Sequence, residues 1–198
     1  MNIQEAMKLR RSRYELTNET PLSKEELESI LADCITYTPS AFHSQTSRVV
    51  LLLQEEHIKL WSIVESTLRN IVPEDKFGPT KLKLDSFASA YGTILYFEDM
   101  NVVEQLQKDF PLYADNFPVW SMQSSGMLQF SVWTSLAAAG LGANLQHYNP
   151  LIDEQVKKEF MIPEQWKLIA QMPFGIATAE PQPLDYMPID QRLLVKGQ

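Results

Sequence analysis

The chain has 198 residues, 44% of them hydrophobic and 21% charged, which suits one folded domain with a substantial core and excludes a disordered or fibrous chain. With 17 Lys and Arg against 25 Asp and Glu, its formal net charge of −8 excludes a broad nucleic-acid surface, because such a surface needs many cations to displace counterions. No early stretch reads as a signal peptide and no apolar run approaches the ~20 residues that span a bilayer, so a cytoplasmic protein with no membrane partner is expected.

Met1 to Lys8 carries Ile3, Ala6 and Met7 at helical spacing. In "PLSKEELESILADCITY", Ser23 and Glu26 match a capping box, and Leu27, Ile30, Leu31, Cys34 and Ile35 form one apolar face. That pattern predicts a helix, with the single cysteine as a buried, inert thiol. Ser47 to Leu53 reads as a buried strand and Glu55 to Asn70 as a helix. The prolines and glycine of "IVPEDKFGPT" mark a loop, after which Leu82 to Ala90 reads as helical and Tyr91 to Phe97 as a second buried strand. "NVVEQLQKDF" reads as a helix, and "PLYADNFP" breaks the pattern.

From Val119 to Ala139 the apolar residues occupy more than one helical face, which predicts a long buried central helix ended by Gly140. "GANLQHY" reads as a strand or strand edge, "DEQVKKEF" as a short helix, and "WKLIAQMPFGIA" as a final buried strand with a bulge near Met172 to Gly175. The tail from Pro181 has too few apolar residues for a core of its own. Strands and helices mix without regular alternation, which favours an α+β layer arrangement in a single domain spanning residues 1–198.

Three stretches carry candidate chemistry. "LRRSRYEL" gathers Arg10, Arg11 and Arg13, half of the six arginines of an acidic chain. They read either as a solvated helix end or as an anion site, where guanidinium groups give bidentate bonds and Ser12 adds a hydroxyl. "TPSAFHSQTSR" packs serines, an amide and an imidazole between a helix and a strand, as an ordinary turn or as donors for a planar polar ligand. "AAAGLGANLQHYNP" suggests a dinucleotide fingerprint, but it follows a helix instead of a strand and has Leu145 at the third glycine position, so a Rossmann site is rejected. Its glycines are read as turning the chain so that the backbone of Leu145 to His147 can face a ligand. His43, His57 and His147 lack metal-ligand spacing, and no metal is expected.

Taken in order, "RRSRYEL", "PSAFHSQ", "GLGANLQHYNP" and "PFGIATAEP" resemble the FMN-dependent nitroreductase family, and within it the short fungal- and bacterial-type subset. The resemblance implies an α+β homodimer with a mixed, mainly antiparallel sheet flanked by helices, and two FMN sites at the subunit interface built from both chains. It implies that Arg10, Arg11 and Ser12 hold the phosphate and ribityl chain, with Arg192 as a second phosphate ligand. Ser40, His43 and Gln45 would reach the flavin from the partner subunit, and the backbone around Gln146 and His147 would face the ring near N5. One departure is His43, where the family often has Asn; the imidazole is larger and can charge near neutral pH. Phe117 and Trp120 are candidates to line a substrate pocket, and Phe110 and Tyr113 share their loop.

The implied chemistry is a ping-pong cycle in which NADH or NADPH reduces FMN and leaves, and an electron-poor acceptor such as a nitroaromatic or quinone follows. The cofactor carries the reaction, so no side chain is assigned as catalytic. A flavin-binding sensor or regulatory module with incidental reductase activity is the alternative. A structural protein with merely solvated arginines is a third.

Overall fold

A computed structural model of the protein describes residues 1–197. In chain order its elements are α1 (Ile3–Leu9), α2 (Lys24–Tyr37), β1 (Ser47–Leu53), α3 (Gln54–Arg69), α4 (Phe77–Ala88), β2 (Gly92–Asp99), α5 (Met100–Asp109), α6 (Phe117–Ala138), β3 (Gly142–Ala143), α7 (Asp153–Glu159) and β4 (Trp166–Gly175). The four strands form one antiparallel sheet in the order β1-β2-β4-β3. This is the α+β arrangement expected from the pattern.

Alternation along β2 builds the core. Every residue of β2 is buried, and successive side chains point to opposite faces. Ile94 and Tyr96 pack with Leu27 and Leu31 of α2 and Leu128, Val132 and Leu136 of α6, whereas Leu95 and Phe97 pack with Leu60, Trp61 and Val64 of α3, Phe87 of α4 and Val156 of α7. The sheet is therefore covered on both faces. The capping box at α2 is present, with Ser23 Oγ accepting from the Glu26 backbone N–H and Glu26 accepting from that of Ser23.

Three expectations are corrected. The segment "IVPEDKFGPT" is not loop throughout, because α4 starts at Phe77. Pro79 is its third residue, where the missing N–H falls among the donors a helix start leaves unpaired anyway. The bulge in β4 is at Ile169, where the register slips between Tyr96↔Ala170 and Phe97↔Leu168, and Met172 to Phe174 pair regularly with β2. The central helix, packed against the sheet and against α1, α2 and α5, is not buried all round. Val119, Met122, Met127 and Phe130 remain 54%, 45%, 41% and 41% exposed, because its neighbouring elements leave that part of its surface uncovered.

Segment 12–17 runs alongside the β3 edge. Ser12 bridges Ala143, and Leu16 bridges Ala177. Gly140 makes the turn out of α6 with φ of 86°, a conformation that favours glycine. Gly142 serves close approach instead, since a Cβ there would meet Ala177 Cβ at 2.8 Å and Arg13 Cβ at 2.9 Å.

Candidate functional site

The three clustered arginines have different jobs. Arg13 is structural. Its Nη1 donates to the Ala179 carbonyl at 2.8 Å and pairs with Glu180 at 3.3 Å, while its backbone N–H donates to Ala143 O at 2.9 Å. Arg11 Nη2 donates to the Gln182 carbonyl at 2.5 Å, which leaves further donors free. Arg10 caps the C-terminus of α1 with its backbone N–H, and its guanidinium lies 4.5 Å from the centroid of the Trp133 ring. Arg10 Nε is buried with no hydrogen-bond partner, and so is Trp133 Nε1. Arg10 to Glu15 and Ala179 to Gln182 line a cavity of about 370 Å³. An anion placed there would give Arg10 Nε the partner it lacks and would engage the free donors of Arg11 and the exposed Ser12 hydroxyl.

The second constellation is the turn from Ser40 to Gln45. Phe42, His43 and Gln45 have φ of 58°, 52° and 49°, a left-handed conformation that costs each side chain about 1 kcal/mol or more and persists only where the surroundings enforce it. The enforcing bonds are present. Ser40 Oγ accepts from the Gln45 N–H at 3.0 Å, and Arg48 Nη1 donates to the Gln45 carbonyl at 2.6 Å while Nη2 pairs with Asp99 at 3.0 Å. Below the turn the fully buried Glu98 accepts from Ser47 Oγ and Ser121 Oγ, both at 2.5 Å, tying β1 to α6. Ser40, His43, Gln45 and Arg48 line a cavity of about 320 Å³ whose far wall is Ser124 and Leu128 of α6.

The half-exposed Phe42 projects into an aromatic cluster. Its ring stacks on Trp120 at 5.9 Å and lies 5.0, 5.3 and 6.0 Å from Phe110, Phe117 and Tyr113. The aromatic residues singled out in the sequence do converge beside the turn.

Gln146 and His147 differ. The Gln146 side chain is buried and donates to Asn144 Oδ1 at 2.8 Å, and Asn144 Nδ2 donates to the Arg13 carbonyl at 2.8 Å. The Gln146 backbone exchanges two bonds with Gln171 of β4, whose side chain accepts from the Tyr148 N–H at 2.8 Å. These amides pin the 144–148 segment to the arginine segment, and His147 is exposed. Arg192 is exposed in the tail and lines neither cavity.

The cavity at the arginine segment and the cavity at the Ser40 turn have no lining residue in common. A larger cavity, about 900 Å³, lies where the N-terminus of α3 meets the start of β2 and residues 16–18. It is lined mainly by apolar surface, and of the three stretches from the sequence only the first reaches it, through Leu16. Size alone does not mark the site.

A family model, the nitroreductase family, matches residues 7–176. The chain belongs to the nitroreductase family. It is 36% identical to HBN1 of Saccharomyces cerevisiae over 183 residues, 91% of each chain. Among solved structures it resembles the nitroreductase CinD from Lactococcus lactis in complex with chloramphenicol, with TM-score 0.91 and 43% identity over 99% of this chain and all of that one. A protein from Exiguobacterium sibiricum solved in complex with FMN shares the fold at TM-score 0.73 and 16% identity, over 99% of this chain and 98% of that one. The chain is thus a nitroreductase-fold oxidoreductase.

Sequence reasoning missed Trp133, Asn144, Gln171 and Glu98. Asn144 and Gln146, polar residues alternating about Leu145 in a strand-like stretch, were the one local signal of the inward-facing amides.

Proposed function

We propose that the protein is an FMN-dependent NAD(P)H oxidoreductase that reduces nitroaromatic, quinone or similarly electron-poor acceptors, working as a homodimer with two shared sites. The observation that carries this is the unpartnered, buried Nε of Arg10 beside a cavity lined by Arg11 and Ser12. These groups fit a flavin phosphate. The Ser40 turn lies apart from them in one chain, as it would if a second copy supplied it.

Bound FMN would supply the hydride chemistry, and NAD(P)H and the acceptor would occupy one cleft in turn. In this reading Arg10 and Arg11 bind the phosphate, with Arg192 of the tail as a further ligand, and Ser12 donates to the ribityl chain. Ser40, His43 and Gln45 orient the ring from the partner's side, on a turn held in its left-handed conformation before any ligand arrives. The backbone at Gln146 and His147 is held rigid by the amide bonds to Asn144 and Gln171. Phe42, Trp120 and Phe110 offer an apolar aromatic surface, which suits the aromatic acceptors that the CinD complex suggests. An acidic chain with one buried cysteine fits a cytoplasmic enzyme of this kind.

The test is the anaerobic visible spectrum of the purified protein. A flavin band that bleaches with NADH or NADPH and returns on adding a nitroaromatic supports the reductase. A flavin that stays oxidised points to a sensor or regulatory module, and a protein that binds no FMN overturns both.

A further inference from the structure

We infer that Trp133 is a positioning residue of the anion site, acting on a bound phosphate through Arg10. The inference rests on the proposed flavin-phosphate reading of Arg10. Trp133 belongs to α6 and Arg10 ends α1, which packs against α6. The guanidinium carbon sits 4.5 Å from the indole centroid, within the range in which a ring face attracts a cation. No hydrogen bond holds Arg10 Nε, which is buried and unpartnered. The ring therefore replaces the carboxylate or carbonyl that pins Arg13 and the carbonyl that engages Arg11.

That difference has a consequence for binding. A carboxylate partner would have to be displaced, or would repel an incoming phosphate. An aromatic face orients the planar guanidinium, leaves its donors free and adds no negative charge. Stacking also removes rotamer freedom in advance, so less is lost when the anion arrives.

The experiment is titration of the flavin-free protein with FMN and with riboflavin, which lacks the phosphate, for the parent, Trp133→Leu, Trp133→Phe, Arg10→Ala and the Arg10→Ala/Trp133→Leu double variant. The expected result is that Trp133→Leu weakens FMN about 5- to 30-fold and riboflavin by less than about twofold. Trp133→Phe keeps a ring face and loses FMN affinity by only about 2- to 5-fold, which serves as the measurement if Trp133→Leu does not fold. In the Arg10→Ala background Trp133→Leu adds nothing further to the FMN-to-riboflavin ratio.

Equal losses of FMN and riboflavin would reduce Trp133 to a packing residue and overturn the inference. So would a Phe variant as weak as the Leu variant, since the indole N–H and not the ring face would then be at work. If Arg10→Ala leaves the ratio unchanged, the phosphate reading fails and the inference with it. If Arg10→Ala lowers the ratio and Trp133→Leu does not, the inference alone fails.

Discussion

The two helical layers on the sheet are built on opposite rules. On the α3 and α4 side the outer surface is laced with ion pairs: Arg69 bridges Glu65 at 2.9 Å and Glu74 at 3.3 Å, and Lys81 reaches Glu65 at 3.5 Å and also contacts Asp85. Leu82, an apolar residue that breaks the surface there, stands between Lys81 and Lys83. On the other side the 22 residues of α6 contain no charged side chain, and the exposed Val119, Met122, Met127 and Phe130 are accompanied by the exposed Ile3 and Met7 of α1. A patch of that kind on a chain of net charge −8 marks a surface meant to be covered. The arginine segment and the Ser40 turn both adjoin this layer. One layer closes its outer surface with charge, and the other leaves an apolar face open.

The largest expected effect comes from charging that face. Phe130→Glu should shift the protein to monomer by at least about 100-fold in dissociation constant, since a buried unpaired carboxylate costs several kcal/mol. Flavin should be lost with the dimer. Analytical ultracentrifugation with the flavin-to-protein absorbance ratio checks both, and a monomer with a full complement of FMN would break the shared-site reading. Next in size is Arg10→Ala, which should weaken FMN about 10- to 100-fold, the worth of a hydrogen bond to a charged group. Unchanged affinity in a folded dimer would leave the arginine segment without its assigned role.

The contrast also explains what was legible beforehand. Elements governed by local rules could be read from the sequence: the Ser23 and Glu26 cap, the buried run of β2, the turn at Gly140. The α4 start could not, because proline reads as a breaker unless its place in the first turn is known. The bulge at Ile169 depends on pairing with β2, a long-range matter. For the site, arginines, serines and glycines announced themselves by type and grouping. Trp133 and Asn144 did not, because each acts on a residue more than a hundred positions away, Arg10 and Arg13. What Arg13 does, as a structural tie to Ala179 and Glu180 and not an anion ligand, also needed the fold.

A smaller effect should follow from Asn144→Leu. It removes the donor to the Arg13 carbonyl and the acceptor for Gln146 Nε2, both buried, and unsatisfied groups of this kind cost about 1–3 kcal/mol. Urea denaturation measures that loss. A variant as stable as the parent would show that the amides do not tie the two segments together.

The smallest effect belongs to the self-contained layer. His57 of α3 is buried, with Nδ1 at 2.8 Å from Thr93 Oγ1 and Nε2 at 3.1 Å from the Ala88 carbonyl. Trp61 Nε1 can only donate to Thr93 Oγ1, at 3.0 Å, so the threonine proton is free for His57 Nδ1 and the imidazole proton belongs on Nε2. That neutral tautomer suits a group whose pKa burial pushes below the ordinary value of 6.5. The unfolded chain then binds a proton at a higher pH than the folded one. His57 therefore contributes stability that is present above about pH 6.5 and is lost as pH falls through its lower folded value, at up to about 1.4 kcal/mol per pH unit in between. His57→Gln can accept from Thr93 and donate to Ala88 without titrating, so its stability should fall less steeply than the parent's below pH 6.5. Parallel profiles for the two proteins would mean that His57 does not carry this pH dependence, whereas a flatter one, with FMN affinity unchanged, would show that this layer can be altered without touching the site.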